Sequence, residues 1–222
     1  MFNVIRNEPT PLSLAGKRKY DSQDVLDALN IVFHKKCYIC ETSEPLDINV
    51  EHFIAHQGDE DLKYDWKNLY FSCARCNNIK LAKFNDLLDC CDEEIDVLRA
   101  IKHLPPRTPF AKNLLIEAQS DDAKTQLTAE LLNKVFNSEH THNKKVSAVS
   151  LRKKVFVQYN LLFEQMNEYY KPLALPRDKE DAIERIKLLL KASSPYSAFI
   201  SWCILEDDEL GPMLHDFIGR AE

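Results

Sequence analysis

Apolar positions recur along this chain in two rhythms. In "DSQDVLDALNIVFHKK", Val25, Leu26, Leu29, Val32 and Phe33 fall at three- and four-residue spacings. That spacing predicts a helix, with Asp21 or Ser22 as its N-cap. In "LDINVEHF", Leu46, Ile48, Val50 and His52 alternate along one side, which is the period of a strand. The segment "AHQGDEDLKYD" is polar and reads as a loop. "WKNLYFSCARCNNIKLAKF" reads as a short strand running into a helix. Ahead of all this, the first 20 residues carry two prolines and a basic "KRK", and they read as an extended arm.

After Phe84 the pattern changes. "DLLDCCDEEIDVLRAIKHLPPRTP" is acidic and then proline-rich, which predicts a seam between halves. The expected division is 1–90, with arm, first helix and strands, and 91–222, a helical region suited to docking a partner. Within the second half, Asn113 to Ala118 predicts a short strand. Helices are expected over Thr128 to Asn137, Lys144 to Tyr170 and Asp178 to Lys191, with a last apolar segment in "ASSPYSAFISWCIL". The middle helix carries the broadest stripe: Val146, Val149, Val155, Phe156, Tyr159, Leu162, Phe163 and Met166. The class is α+β, mostly α.

Composition narrows the setting. No apolar run approaches the roughly 20 residues that span a bilayer. The N-terminus lacks a basic start followed by an apolar core, so a cytoplasmic, reducing location is expected and no membrane partner. The net charge of −6 disfavours strong unaided binding to nucleic acid, which depends on phosphate neutralisation. Charge is uneven, however: Lys144, Lys145, Arg152, Lys153 and Lys154 lie in a stretch without acids. That stretch reads either as a solvated helix face or as a face that tracks phosphates.

Seven cysteines, an odd number, argue against a disulfide framework. Four form two C-x-x-C pairs, Cys37 with Cys40 and Cys73 with Cys76, separated by 32 residues. Two such pairs close one tetrahedral Zn²⁺ site, and four thiolates on one ion make that zinc structural. Loop-closure entropy rises slowly enough with length to permit the long insert. Cys90, Cys91 and Cys203 have no partner at metal spacing and read as small buried apolar residues.

Inside the insert lies "VEHFIAH", then Trp66, Asn68 and Leu69; just after Cys76 come Asn77 and Lys80. Singly these are weak. His52 alone reads as a core histidine, Asn68 as a turn residue, Asn77 as a polar group near a helix start, and Lys80 and Lys83 as solvated. As an ordered set, C-x-x-C, Glu-His, W-x-N-L, C-x-x-C-N, they make residues 37 to about 84 resemble the HNH endonuclease family. The resemblance implies a small zinc-braced ββα-metal core followed by a helical C-terminal region. It implies that Glu51 is an acidic metal ligand and His52 the general base that activates water. It further implies that Asn77 is a second metal ligand and that Asn68 braces the loop by backbone hydrogen bonds. Glu at 51 and Asn at 77 depart from the commoner Asp and His. An Asn oxygen favours a hard catalytic ion, Mg²⁺ or Mn²⁺. His56 is left open between a phosphate contact, the metal shell and a loop brace.

Phosphodiester hydrolysis suits those residue types, since it needs a water nucleophile, a near-neutral base and a cation on the phosphate. The layout of the whole chain, with "TAELLNKVFN" (Thr128 to Asn137) and "LRK" (Leu151 to Lys153), is similar to the HNH effectors of Septu-type and retron-associated antiphage systems. That similarity implies DNA or tRNA as substrate and an ABC/SMC-like ATPase as partner. In retron versions it also implies a reverse transcriptase with its RNA–DNA product. The competing reading is a zinc-braced nucleic-acid-binding or assembly subunit without cleavage activity of its own.

Overall fold

The computed structural model describes residues 1–138 and 147–219. Lys144, Lys145 and Val146 therefore lie outside the described residues. The chain is α+β and roughly half helical. Two short helices, α1 (Leu12–Ala15) and α2 (Gln23–Val32), precede β1 (Ile48–His52). α3 (Glu60–Tyr64) and β2 (Leu69–Cys73) follow, and α4 (Ala74–Lys80) leaves β2 without a linker. Next come α5 (Val97–Ala100), β3 (Ile101–Leu104) and β4 (Leu115–Ala118). The rest is helical: α6 (Ala123–Asn137), α7 (Ala148–Tyr170), α8 (Pro176–Leu190), α9 (Ser197–Leu205) and α10 (Leu210–Leu214).

Among the described residues the strands form two separate antiparallel hairpins, β1 with β2 and β3 with β4. In the first, Ile48 pairs with Cys73 and His52 with Leu69. β2 is buried on both faces, whereas β1 runs from exposed Ile48 to Val50 and Glu51, both buried, and half-buried His52. Leu46 is 92% and Ile48 45% exposed, so of the alternating stripe expected there only Val50 is buried, beside buried Glu51. β3 lies in the segment read as a seam. Its alternating burial, Ile101 and His103 inward, is masked in sequence by the charge and prolines around it.

The N-terminal arm packs into the core. Met1, Phe2 and Val4 are buried, and the Val4 amide donates to the Cys90 carbonyl. The Arg6 guanidinium donates to the carbonyls of Trp66 and Leu69 and sits over the Trp66 ring, 4.7 Å from its centroid. The arm thus pins the entry to β2. One hydrophobic core joins α2, the first hairpin, α6 and the start of α7, and it also takes in Tyr196 and Phe199. Residues on both sides of position 90 share it: Leu87, Leu88 and Cys90 with Val97 and Ile101. A second core packs α8, α9 and α10 against Leu162 and Tyr169 of α7. No helix of the described residues is long and apolar enough to cross a membrane.

Candidate functional site

The two cysteine pairs converge. One sulfur from each of Cys37, Cys40, Cys73 and Cys76 lies within 4.8 Å of the others, all four side chains buried. Cys40 Sγ and Cys73 Sγ are 3.9 Å apart. A tetrahedron with Zn–S of about 2.3 Å places sulfurs about 3.8 Å apart, so the donor set fits zinc. Local structure explains the convergence. The Glu41 amide donates to the Cys37 carbonyl, the Cys37 amide to the Thr42 carbonyl, and Glu41 takes a positive φ, which curls the first pair into a knuckle. The second pair spans the start of α4, where the Cys76 amide donates to Cys73 Sγ.

Because α4 starts at the knuckle, it runs back along the hairpin toward His52. Lys80 in its last turn reaches the far end of β1. Its ammonium donates to Glu51 Oε1 at 2.7 Å and to the His52 carbonyl at 3.0 Å. Glu51 Oε2 accepts from the Tyr38 hydroxyl at 2.7 Å. Glu51 is 5% and Lys80 0% exposed. Burial pushes the Glu51 carboxyl above its ordinary range, opposed by Lys80. Lys80 is therefore a core residue, not a solvated one. Asn77, one turn earlier on the same helix face, is partly exposed and sits mid-helix rather than at its start. Its side chain makes no hydrogen bond among the described residues.

The donor set implied for a catalytic divalent ion does not fit one in this arrangement. Both Glu51 oxygens are already taken, and Lys80 supplies the positive charge that an ion would bring. Among the described residues, groups of at least three His, Cys, Asp or Glu ligands within reach of one ion occur at two places only. These are the four knuckle cysteines, and Asp89 with Cys90 and Cys91. The latter places Cys90 and Cys91 beside an acid, with Arg6 3.5 Å from Cys91 Sγ, which their sequence spacing did not suggest.

His52 faces away from Glu51, as successive strand residues do. It is half-buried, and its Nε2 lies 3.0 Å from the Lys63 carbonyl. A carbonyl only accepts, so Nε2 carries the proton and Nδ1 keeps the lone pair. Burial holds the imidazole below its ordinary pKa. The ring packs against Tyr20 and His56, each 4.7 Å away centroid to centroid. His56 Nδ1 accepts from the Gly58 amide, so it shapes its own turn while flanking His52.

The loop between the strands is held by Asn68. Its Oδ1 accepts from the Ile54 amide, and its Nδ2 donates to the carbonyls of Ile54 and Leu62. Leu62 adjoins Lys63, whose carbonyl anchors His52. Three partners here carry little sequence signal. Tyr20 belongs to the arm, the Lys63 partner is a backbone atom, and Tyr38 hides between two zinc cysteines. Comparison with family models, with curated proteins and with solved structures returns no match to this chain.

Proposed function

We propose that this chain is an HNH-type endonuclease that hydrolyses phosphodiester bonds in DNA or tRNA, with His52 as the base. The observation that carries the reading is the state of His52. The Lys63 carbonyl fixes its tautomer, partial burial keeps it neutral, and Nδ1 is left with a lone pair for a water proton. The order hairpin, helix and zinc knuckle supports it, as does the Asn68 brace on the loop that carries Lys63. Tyr20 and His56 act as positioning residues, each packing an inclined ring against the imidazole.

The effector role in an antiphage complex with an ABC/SMC-like ATPase rests on the sequence resemblance. The net charge of −6 supports it, because an acidic nuclease gains from a partner's basic surface. So do Val157, Leu161 and Phe163, which α7 leaves exposed. A second reading is favoured by one observation: the closed Glu51–Lys80 pair suits a zinc-braced binding module without cleavage activity. Incubation of the zinc-loaded chain with plasmid DNA and with total tRNA, in Mg²⁺ or Mn²⁺, separates the two. Cleavage of either substrate supports the nuclease, and binding without cleavage supports the module.

A further inference from the structure

At the opposite end of the hairpin from His52 lies a buried cation that is poorly satisfied among the described residues. Arg75, between the zinc cysteines 73 and 76, is 3% exposed. Among the described residues its Nε and Nη1 make no hydrogen bond, and Nη2 makes one long bond, 3.4 Å, to the Ser138 carbonyl. The neighbouring thiolates do not serve, since neither nitrogen reaches a sulfur. A guanidinium presents five N–H donors, and buried donors left unpaired are costly enough to be rare. Arg75 also lines a cavity of about 80 Å³ that Lys154 of α7 lines too. Lys154 is exposed and makes no ion pair among the described residues. Two acids share the rim. Glu44 is drawn off by Lys35 at 3.7 Å, which leaves Asp47 as the lining acid that opposes an anion.

We propose that this cavity is a phosphate-binding site, with Arg75 as the fork and Lys154 as a second charge at its mouth. The planar guanidinium matches a phosphate through two parallel N–H bonds, and a small cavity admits one phosphate but no base. The phosphate comes from the backbone of a nucleic acid whose cleaved bond lies at His52; this last step rests on the nuclease reading. The geometry is compatible with it. Cys73 pairs with Ile48 and His52 with Leu69, so the two ends are four residues apart. At roughly 3.3 Å per residue that is about 13 Å. Phosphates of one strand lie further apart than the roughly 3.4 Å axial rise per nucleotide, because the strand winds about the axis, so about two phosphates separate the two points. A cation there sets where along the strand the bond is cut.

The test uses the full zinc-loaded chain, Arg75→Met and Lys154→Ala. Inorganic phosphate is titrated while thermal unfolding is followed. Cleavage of plasmid DNA and tRNA is measured against salt. Phosphate raises the wild-type midpoint and leaves that of Arg75→Met unmoved. Each variant raises KM several-fold, more than it lowers kcat, and flattens the log–log salt slope by about 1 for a lost phosphate contact. Lys154 is exposed, so its replacement answers even if Arg75→Met fails to fold. Unchanged KM and salt slope in Lys154→Ala overturn the nucleic-acid assignment. No phosphate effect on the wild type overturns the anion site itself. A wild type that binds phosphate through Arg75 but cleaves nothing overturns the nuclease reading and upholds the anion site.

Discussion

Asn68 is the residue through which the structure makes its most quantitative claim. Replacing it by alanine removes three hydrogen bonds of 2.7, 2.9 and 2.9 Å, two from its amide nitrogen and one to its oxygen. Asn68 is 5% exposed, so water replaces these partners poorly. At about 0.5–1.5 kcal/mol net for each bond, the loss centres on about 3 kcal/mol. In a chain of 222 residues each kcal/mol moves the thermal midpoint by roughly 2–4 °C, which gives a fall of about 6–12 °C. Urea unfolding of the zinc-saturated proteins measures the free energy. Hydrogen exchange then locates the effect: the amides of residues 54–64 should exchange faster in Asn68→Ala, while those of α8 and α9 do not change. Since Leu62 precedes the carbonyl that holds His52, cleavage should fall with the loop. A loss below about 1 kcal/mol, or unchanged exchange over 54–64, would show that the loop is held by something else.

Further expectations follow from the same geometry. The purified chain should carry one zinc, and chelation or Cys40→Ser should unfold the knuckle, read by metal analysis and by loss of cooperative melting. Lys80→Met leaves Glu51 buried without its counter-charge and should cost about 3–5 kcal/mol, whereas adding Glu51→Leu should restore part of that; equal losses in single and double variants would refute the pairing. Burial holds His103 down at about 3. An unfolded histidine takes up its proton near pH 6.5, so stability is unaffected above that pH. It falls between about pH 6.5 and 3, by up to about 1.4 kcal/mol per pH unit. Urea midpoints at pH 6.5 and 4.5 should diverge less in His103→Gln than in the wild type.

The cysteine spacing was the most legible feature of the sequence, because two C-x-x-C turns leave few other uses for four thiols. The long helices were legible too. α6, α7 and α8 bury positions at helical spacing; their ends differ from expectation, and of the stripe expected on α7 Val155 and Leu162 are buried while Phe163 is exposed. The short elements were not. β3 and α3 lie in stretches dominated by charge and proline, where four or five residues give no period to read. The arm read as extended from its prolines and lysines, which hide how Met1, Phe2, Val4 and Leu14 bury it in the core. At the candidate site the residue types were visible, but their pairing was not. Glu51 and Lys80 are 29 positions apart, and only a helix doubling back from the knuckle brings them together. Arg75 gave no signal at all, since an arginine between two zinc cysteines reads as solvated until its burial is known.

The central claim is that His52 activates water. It is tested most directly by comparing wild type with His52→Ala for cleavage of plasmid DNA and total tRNA, zinc content and circular dichroism being matched first. The wild type should cleave and the variant should not, at equal zinc and equal helicity. Cleavage by His52→Ala at the wild-type rate would contradict it.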